Sequence, residues 1–290
     1  MTRPHSSNNI GKDDRAVAGV VGFVLILAAA VTYYSYAAQN EVPRIGAENE
    51  RAWDGDVGSA LAALAASAGE RAGTDAAVSQ VVPSAPEAPT QTVPFLAPLR
   101  SARATGSISY DAQCGGVRMS HEVGGVTIDD LLYQAGSPAA AGRGCISFQG
   151  GAIYAEPFQY RLELGGVLRI QGADAVVLAG PPLDVSPGRI AITMINLSGS
   201  SQTLGLGANA PITLTPRSGA LEVGMAPNAD ALTWTFTTEH PPAWREWYMA
   251  RFAAVGVAAD VEESPGAVTV SVTEPTSLSI SYGRYDVSLG

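Results

Sequence analysis

Few residues in this 290-residue chain combine types and spacings that could do chemistry. Ser109, Asp111, His121 and Glu122 supply the groups of acyl transfer: a hydroxyl nucleophile, an imidazole base and carboxylates to orient it. Spacing alone does not make such groups converge, and no GxSxG, HExxH, P-loop or dinucleotide fingerprint accompanies them. His121 reads as a surface or loop histidine. Asp129-Asp130 and Glu262-Glu263 are the acidic pairs able to hold a hard cation. Neither has calcium-loop spacing, so both read as solvated acids. Gly115-Gly116 and Gly124-Gly125 lack the lysine and the helix start of a phosphate cradle, so they read as turns. No catalytic residue, metal site or cofactor is expected.

Two cysteines, Cys114 and Cys145, cannot alone complete a four-ligand zinc site, and His5, His121 and His240 are scattered. In an oxidising compartment the pair reads as a disulfide, whose loop closure stabilises by roughly 3–4 kcal/mol on the chain-entropy description. Two buried thiols are the alternative. Asn196-Leu197-Ser198 is a glycosylation sequon that matters only outside the cell.

The elements positioning these residues are mostly strands. From Arg100 onward, short β-rich runs such as "CISFQGGAIYAE", "YRLELGGVLRIQG" and "RIAITMINLSG" alternate with Gly, Pro, Asn and Asp punctuation. Their spacing predicts an antiparallel sandwich or rolled sheet. Tyr160, Leu162 and Leu164 alternate with Arg161 and Glu163, the pattern of a strand with one wet face, and Gly165-Gly166 marks a hairpin. One helix interrupts the strands: "PPAWREWYMARFAAVG" starts on two prolines, spaces Trp244, Trp247, Tyr248, Phe252 and Val255 along a core-facing stripe, and ends on Gly256.

Upstream, the run from Ala16 to Ala38 carries no charge. As a helix it is about 34 Å long, against a hydrocarbon core of about 30 Å. Tyr33, Tyr34 and Tyr36 at its end form an interfacial aromatic belt. A cleaved secretory signal competes, since Ser35-Tyr36-Ala37 suits a signal peptidase, but the run is long and the basic leader weak. Residues 39–71 read as a membrane-proximal helix, kinked near Pro43, that either packs on a head or stands as a solvated stalk. Residues 72–99, with Pro83, Pro86, Pro89, Pro94 and Pro98, read as an extended linker.

Charge orders these parts. The formal net charge of −10 divides into +1 for residues 1–38, −5 for 39–99 and −6 for 100–290. An acidic exterior excludes nucleic acid as a partner. The basic excess of the leader places residues 1–15 in the cytoplasm and 39–290 outside, leaving 16–38 in the membrane.

The stretch Asp13-Asp14-Arg15-Ala16-Val17, followed by "GVVGFVLIL", resembles the N-terminus of archaeal type IV pilins, with a charged leader before an apolar helix. The resemblance implies cleavage at the Arg15–Ala16 junction by a prepilin peptidase (a class III signal peptide), with the helix retained. Here Ala18-Gly19 replaces the Ser-Pro of many pilins, and no Glu sits early in the helix. The stretch "GGVLRIQGADAVVLAGPPLDVSPGRIAITMINLSGSSQTLGLG" is similar to the outer region of uncharacterised archaeal membrane proteins sharing that N-terminus. The family implies a surface role and no known activity. The expectation is an α+β protein: a transmembrane and stalk helix (16–71), a Pro-rich linker, and a mainly antiparallel β-sandwich-like head (100–290) with one late amphipathic helix. Its partners would be membrane lipid and, through the apolar helix, like or other pilin subunits. The alternatives are a monomeric anchored ectodomain that binds ligand or cell wall, and an exported hydrolase.

Overall fold

The computed structural model describes residues 10–72, 74–86, 90–91, 99–100, 104–112, 114, 116–123, 126–129, 144–205, 209–217, 222–273 and 276–290. A long helix opens the chain. Helix α1 (Ile10–Tyr36) passes through five π-helical residues, Ala37–Glu41, into α2 (Val42–Glu70). Pro43 directly follows the π-helical residues, so its missing N–H falls where the ladder of this continuous helix is already irregular. From Val17 this is one helix long and apolar enough to cross a membrane, and its most apolar stretch makes no buried contact.

The body is strand-rich. In chain order come β1 (Val78–Val82), β2 (Thr90–Gln91), β3 (Leu99–Arg100), β4 (Thr105–Asp111), β5 (Gly116–Val123), β6 (Val126–Asp129) and β7 (Cys145–Gly151). There follow β8 (Phe158–Glu163), β9 (Gly166–Gln171), β10 (Asp174–Ala179), β11 (Leu183–Ser186), β12 (Arg189–Ser198) and β13 (Gln202–Gly205). The chain closes with β14 (Ala210–Pro216), β15 (Glu222–Ala229), β16 (Ala231–Thr237), α3 (Pro241–Val255), β17 (Asp260–Ser264), β18 (Ala267–Val272) and β19 (Thr276–Leu289).

Apart from the short β2–β3 pair, these strands form three sheets among the described residues. The first runs β1-β14-β19-β12-β11 with β15 also on β19, the second β10-β9-β8-β7-β4-β13, and the third β17-β18-β16-β5-β6. Pairing is antiparallel except for β12 with β19, which run parallel from Arg189↔Ser277 to Ser198↔Asp286. The chain leaves the second sheet for β5 and β6 and returns at β7, and it visits the first and third sheets in the same interleaved way. No cut in the sequence therefore separates the sheets into independent units.

Two apolar cores lie on opposite faces of the second sheet. The first surrounds α2: Trp53, Val57, Leu61 and Leu64 pack on Phe148, Phe158 and Leu162 of the second sheet and on Leu197, Ile212 and Leu214 of the first. The second surrounds α3: Trp244, Tyr248 and Phe252 pack on Trp234, Phe236 and Val270 of the third sheet and on Leu168 and Ile170 of β9. Helix α2 is thus a core element of the head over most of its length. The expected linker also contributes, since β1 pairs with β14 from Val78↔Leu214 to Val82↔Ala210. The head accordingly takes in residues on both sides of position 100.

Covering both faces of the second sheet changes the expectation for β8. Phe158, Tyr160 and Leu162 face α2, while Arg161 and Glu163 point toward α3 and are 9% and 1% exposed. The alternation is real, but the polar face is dry. The hairpin into β9 turns at Leu164 (φ 54°) and Gly165 (φ 88°). A left-handed leucine costs about 1–3 kcal/mol; burial of its side chain in the second core offsets it. Gly256 (φ 70°) caps α3, with its own N–H and that of Val257 returning to the carbonyls of Ala253 and Phe252.

Candidate functional site

Three acidic side chains tie the helices to the sheet. Glu50, 2% exposed on α2, accepts the backbone N–H groups of Ile153 (3.0 Å), Tyr154 (2.8 Å) and Ala155 (2.7 Å). A carboxylate satisfied by three amides pins the β7–β8 loop to the helix. One turn on, Asp54 pairs with Arg169 of β9, and its Oδ1 lies 2.6 Å from the Tyr160 hydroxyl. Burial, then Asp54, pushes the Tyr160 phenol above its ordinary range; the bond to Asp54 raises the Arg169 guanidinium. Beside this pair lies a shallow groove of about 390 Å³, lined by Arg51, Asp54, Gly55, Ser59, Arg169 and Leu178 among others.

The third acid is Glu163, on the opposite face of the sheet. Its Oε1 accepts from Thr238 Oγ1 (2.7 Å) and Trp244 Nε1 (2.7 Å), and its Oε2 has no hydrogen-bond partner among the described residues. Arg161 pairs with Glu239 at 2.7 Å beside it. Burial pushes the Glu163 carboxyl up, against the hydrogen bonds from Thr238 and Trp244 and the Arg161 charge. Burial and then Arg161 push His240 down. These groups join β8 to the start of α3, and Glu163 itself is 1% exposed. Their role in this geometry is to latch the helix.

The residues singled out from the sequence are dispersed. Ser109 and Asp111 lie on β4 of the second sheet, His121 and Glu122 on β5 of the third. Asp129 on β6 and Glu262-Glu263 on β17 occupy opposite edges of the third sheet. Asp130, Gly115, Gly124 and Gly125 lie outside the described residues; Gly116 opens β5. Among the described residues no three His, Cys, Asp or Glu come together as a metal site. Cys114 and Cys145 are bonded, with Cα atoms 5.9 Å apart, so the disulfide ties the approach to β5 in the third sheet to the start of β7 in the second. Asn196 is half-buried within β12, paired with Arg284, and the Ser198 hydroxyl of its sequon lies 3.1 Å from the Tyr285 carbonyl and 2.9 Å from Asp286. The Arg15–Ala16 junction falls inside α1.

Sequence reasoning missed Glu50, Asp54 and Glu163. Glu50 and Asp54 had a legible signal: they lie on the same side of the helix as Trp53 and Val57, where an acid must find a partner. Glu163 had none, because the second cover over β8 comes from α3, far along the chain.

The class defined by these observations is an α+β chain in which one helix of membrane-spanning length continues into the core of a three-sheet body. No known protein family matches this chain, and no curated protein or solved structure does either.

Proposed function

We propose that this is a non-catalytic, pilin-like surface protein, held in or assembled through its apolar N-terminal helix. One observation carries the reading: in a helix continuous from Ile10 to Glu70, the stretch from Val17 to Tyr36 is apolar and largely exposed, while α2 is part of the core of the head. Phe23, Leu25 and Ile26 are 67%, 65% and 70% exposed, a surface that water disfavours and lipid or neighbouring apolar helices accept. The N-terminus is cytoplasmic and the head, sandwich-like around α2, is displayed outside. The disulfide supports that side of the membrane. The Arg15–Ala16 junction is the processing site, and Gly19 and Gly22, with open space around them, allow close approach of like or other pilin helices.

The shallow groove beside Asp54 and Arg169 favours a second reading, a monomeric anchored ectodomain that binds a ligand. Mass spectrometry of the chain isolated from membranes separates the readings. A first residue at Ala16 is the expected result. An intact Met1 favours the plain anchor, and a start near Ala38 overturns both by showing secretion.

A further inference from the structure

One row of side chains crosses the face of the second sheet that looks toward α3. In register it runs from Asp111 on β4 to Cys145 on β7 and Glu163 on β8. Partners on antiparallel strands share a face, with Cα atoms about 4.5–5.5 Å apart. Cys145 and Glu163 are each 1% exposed, whereas Cys114 is partly exposed. The other half of the disulfide comes to the same place. Cys114 precedes Gly116, Gly116 pairs with Thr237, and the next residue, Thr238, donates to Glu163. The carboxyl is therefore tied to the disulfide from both ends of the bond.

We propose that Cys114–Cys145 is a redox-exchange site for a dithiol, and that Glu163 gives the proton to Cys145 when the bond opens. A thiolate of the dithiol attacks Sγ of Cys114, the accessible sulfur. The mixed disulfide forms as the S–S bond breaks. The electron pair leaves on Cys145 Sγ, which takes the proton from Glu163 Oε2. The second thiolate of the dithiol then displaces Cys114, and solvent protonates both Cys114 and Glu163. The dithiol loses two electrons and the cysteine pair gains them. Run backwards, the same steps close the bond with Glu163 as the base. The inference does not depend on how the N-terminal helix is held.

The chemistry of the row supports these roles. Oε1 of Glu163 accepts both hydrogen bonds, so a proton on this carboxyl belongs on Oε2, which has no hydrogen-bond partner among the described residues. Burial favours that protonated form. A bare thiolate on Cys145 would be dry and flanked by Asp111 and Glu163, surroundings that raise its energy and slow its departure. A proton transferred from the next strand removes that charge as it develops. The remaining charged and titratable groups around Glu163 do not stand in the row: Arg161 lies opposite Ser147 and is committed to Glu239, and His240 is half-buried before α3. Since Glu163 also accepts from Trp244, opening of the bond is felt at the start of α3.

The test follows reduction of the full chain in detergent by dithiothreitol, read by thiol alkylation and mass spectrometry. The wild-type rate should rise with dithiothreitol concentration. Per thiolate, it should fall as pH rises and Glu163 ionises. Glu163→Gln should be slower by about 10²-fold, the low end of what a positioned proton donor contributes, with a level pH profile. Thr238→Val loosens the same latch and keeps the acid, so it should be reduced at least as fast as wild type. A monothiol trap should place the adduct on Cys114. A wild-type rate independent of dithiothreitol, which means reduction only after unfolding, would overturn the proposal. So would a glutamine variant reduced as fast as wild type or faster, or an adduct on Cys145.

Discussion

The two parts of the N-terminal helix obey the same backbone rules and meet opposite environments. In α1, glycines 19 and 22 have nothing within 4 Å of where a Cβ would stand. In α2, the same residue type is crowded: a Cβ on Gly46 would overlap the Tyr154 ring, and one on Gly58 would meet the Tyr160 hydroxyl at 2.8 Å. Large aliphatics repeat the contrast, with Leu25 65% exposed and Leu61 fully buried. A helix can be continuous in backbone and still belong to two structures, because hydrogen bonds within the helix are indifferent to what lies outside it. What differs is the solvent each surface needs.

That contrast can be broken or sharpened by substitution, read by denaturant unfolding of the full chain in detergent. The largest effect is expected for Trp53→Ala, which empties the site between Phe148 and Phe158 and removes the indole bond to the Pro83 carbonyl. The head should lose about 3–5 kcal/mol. Gly46→Val should cost about 1–3 kcal/mol by driving Tyr154 off the helix, with faster proteolysis in the β7–β8 loop as the second readout. On the other face of the sheet, Glu163→Gln keeps an acceptor for Thr238 and Trp244 and removes the buried charge. Because the folded carboxyl is pushed up, its contribution is fully present below the unfolded value of about 4.5 and declines as pH rises through the folded one. The glutamine variant should therefore flatten the decline of stability on going from acid to neutral pH, and unchanged melting curves across that range would remove Glu163 from the latch. The smallest effect is expected for Phe23→Ala and Gly22→Ala, which should leave unfolding of the head unchanged. A measurable loss in either would show that α1 packs on the head and end the contrast.

Much of the strand pattern was legible because period-two alternation reports a face directly, and the helix at Pro241–Val255 announced both ends through Pro241-Pro242 and Gly256. The wet face expected for Arg161 and Glu163 was not. Alternation distinguishes two faces but carries no information about what covers each, and here α3 arrives from nearly eighty residues on to seal the polar one. Within the stretch expected as a linker, prolines 83 and 86 follow a strand, yet nothing local says that Val78–Val82 pairs with residues 210–214.

The sequence by itself determined that an uncharged helix of membrane-spanning length precedes an acidic, strand-rich body with two cysteines, since length, charge and periodicity are properties of neighbours along the chain. Only the tertiary structure decided that α2 is the core of that body, that Glu50, Asp54 and Glu163 are the polar ties around it, and that Cys114 and Cys145 bridge two sheets. Those outcomes depend on which distant surfaces exclude water together, and burial of that kind belongs to the assembled chain rather than to any stretch of it.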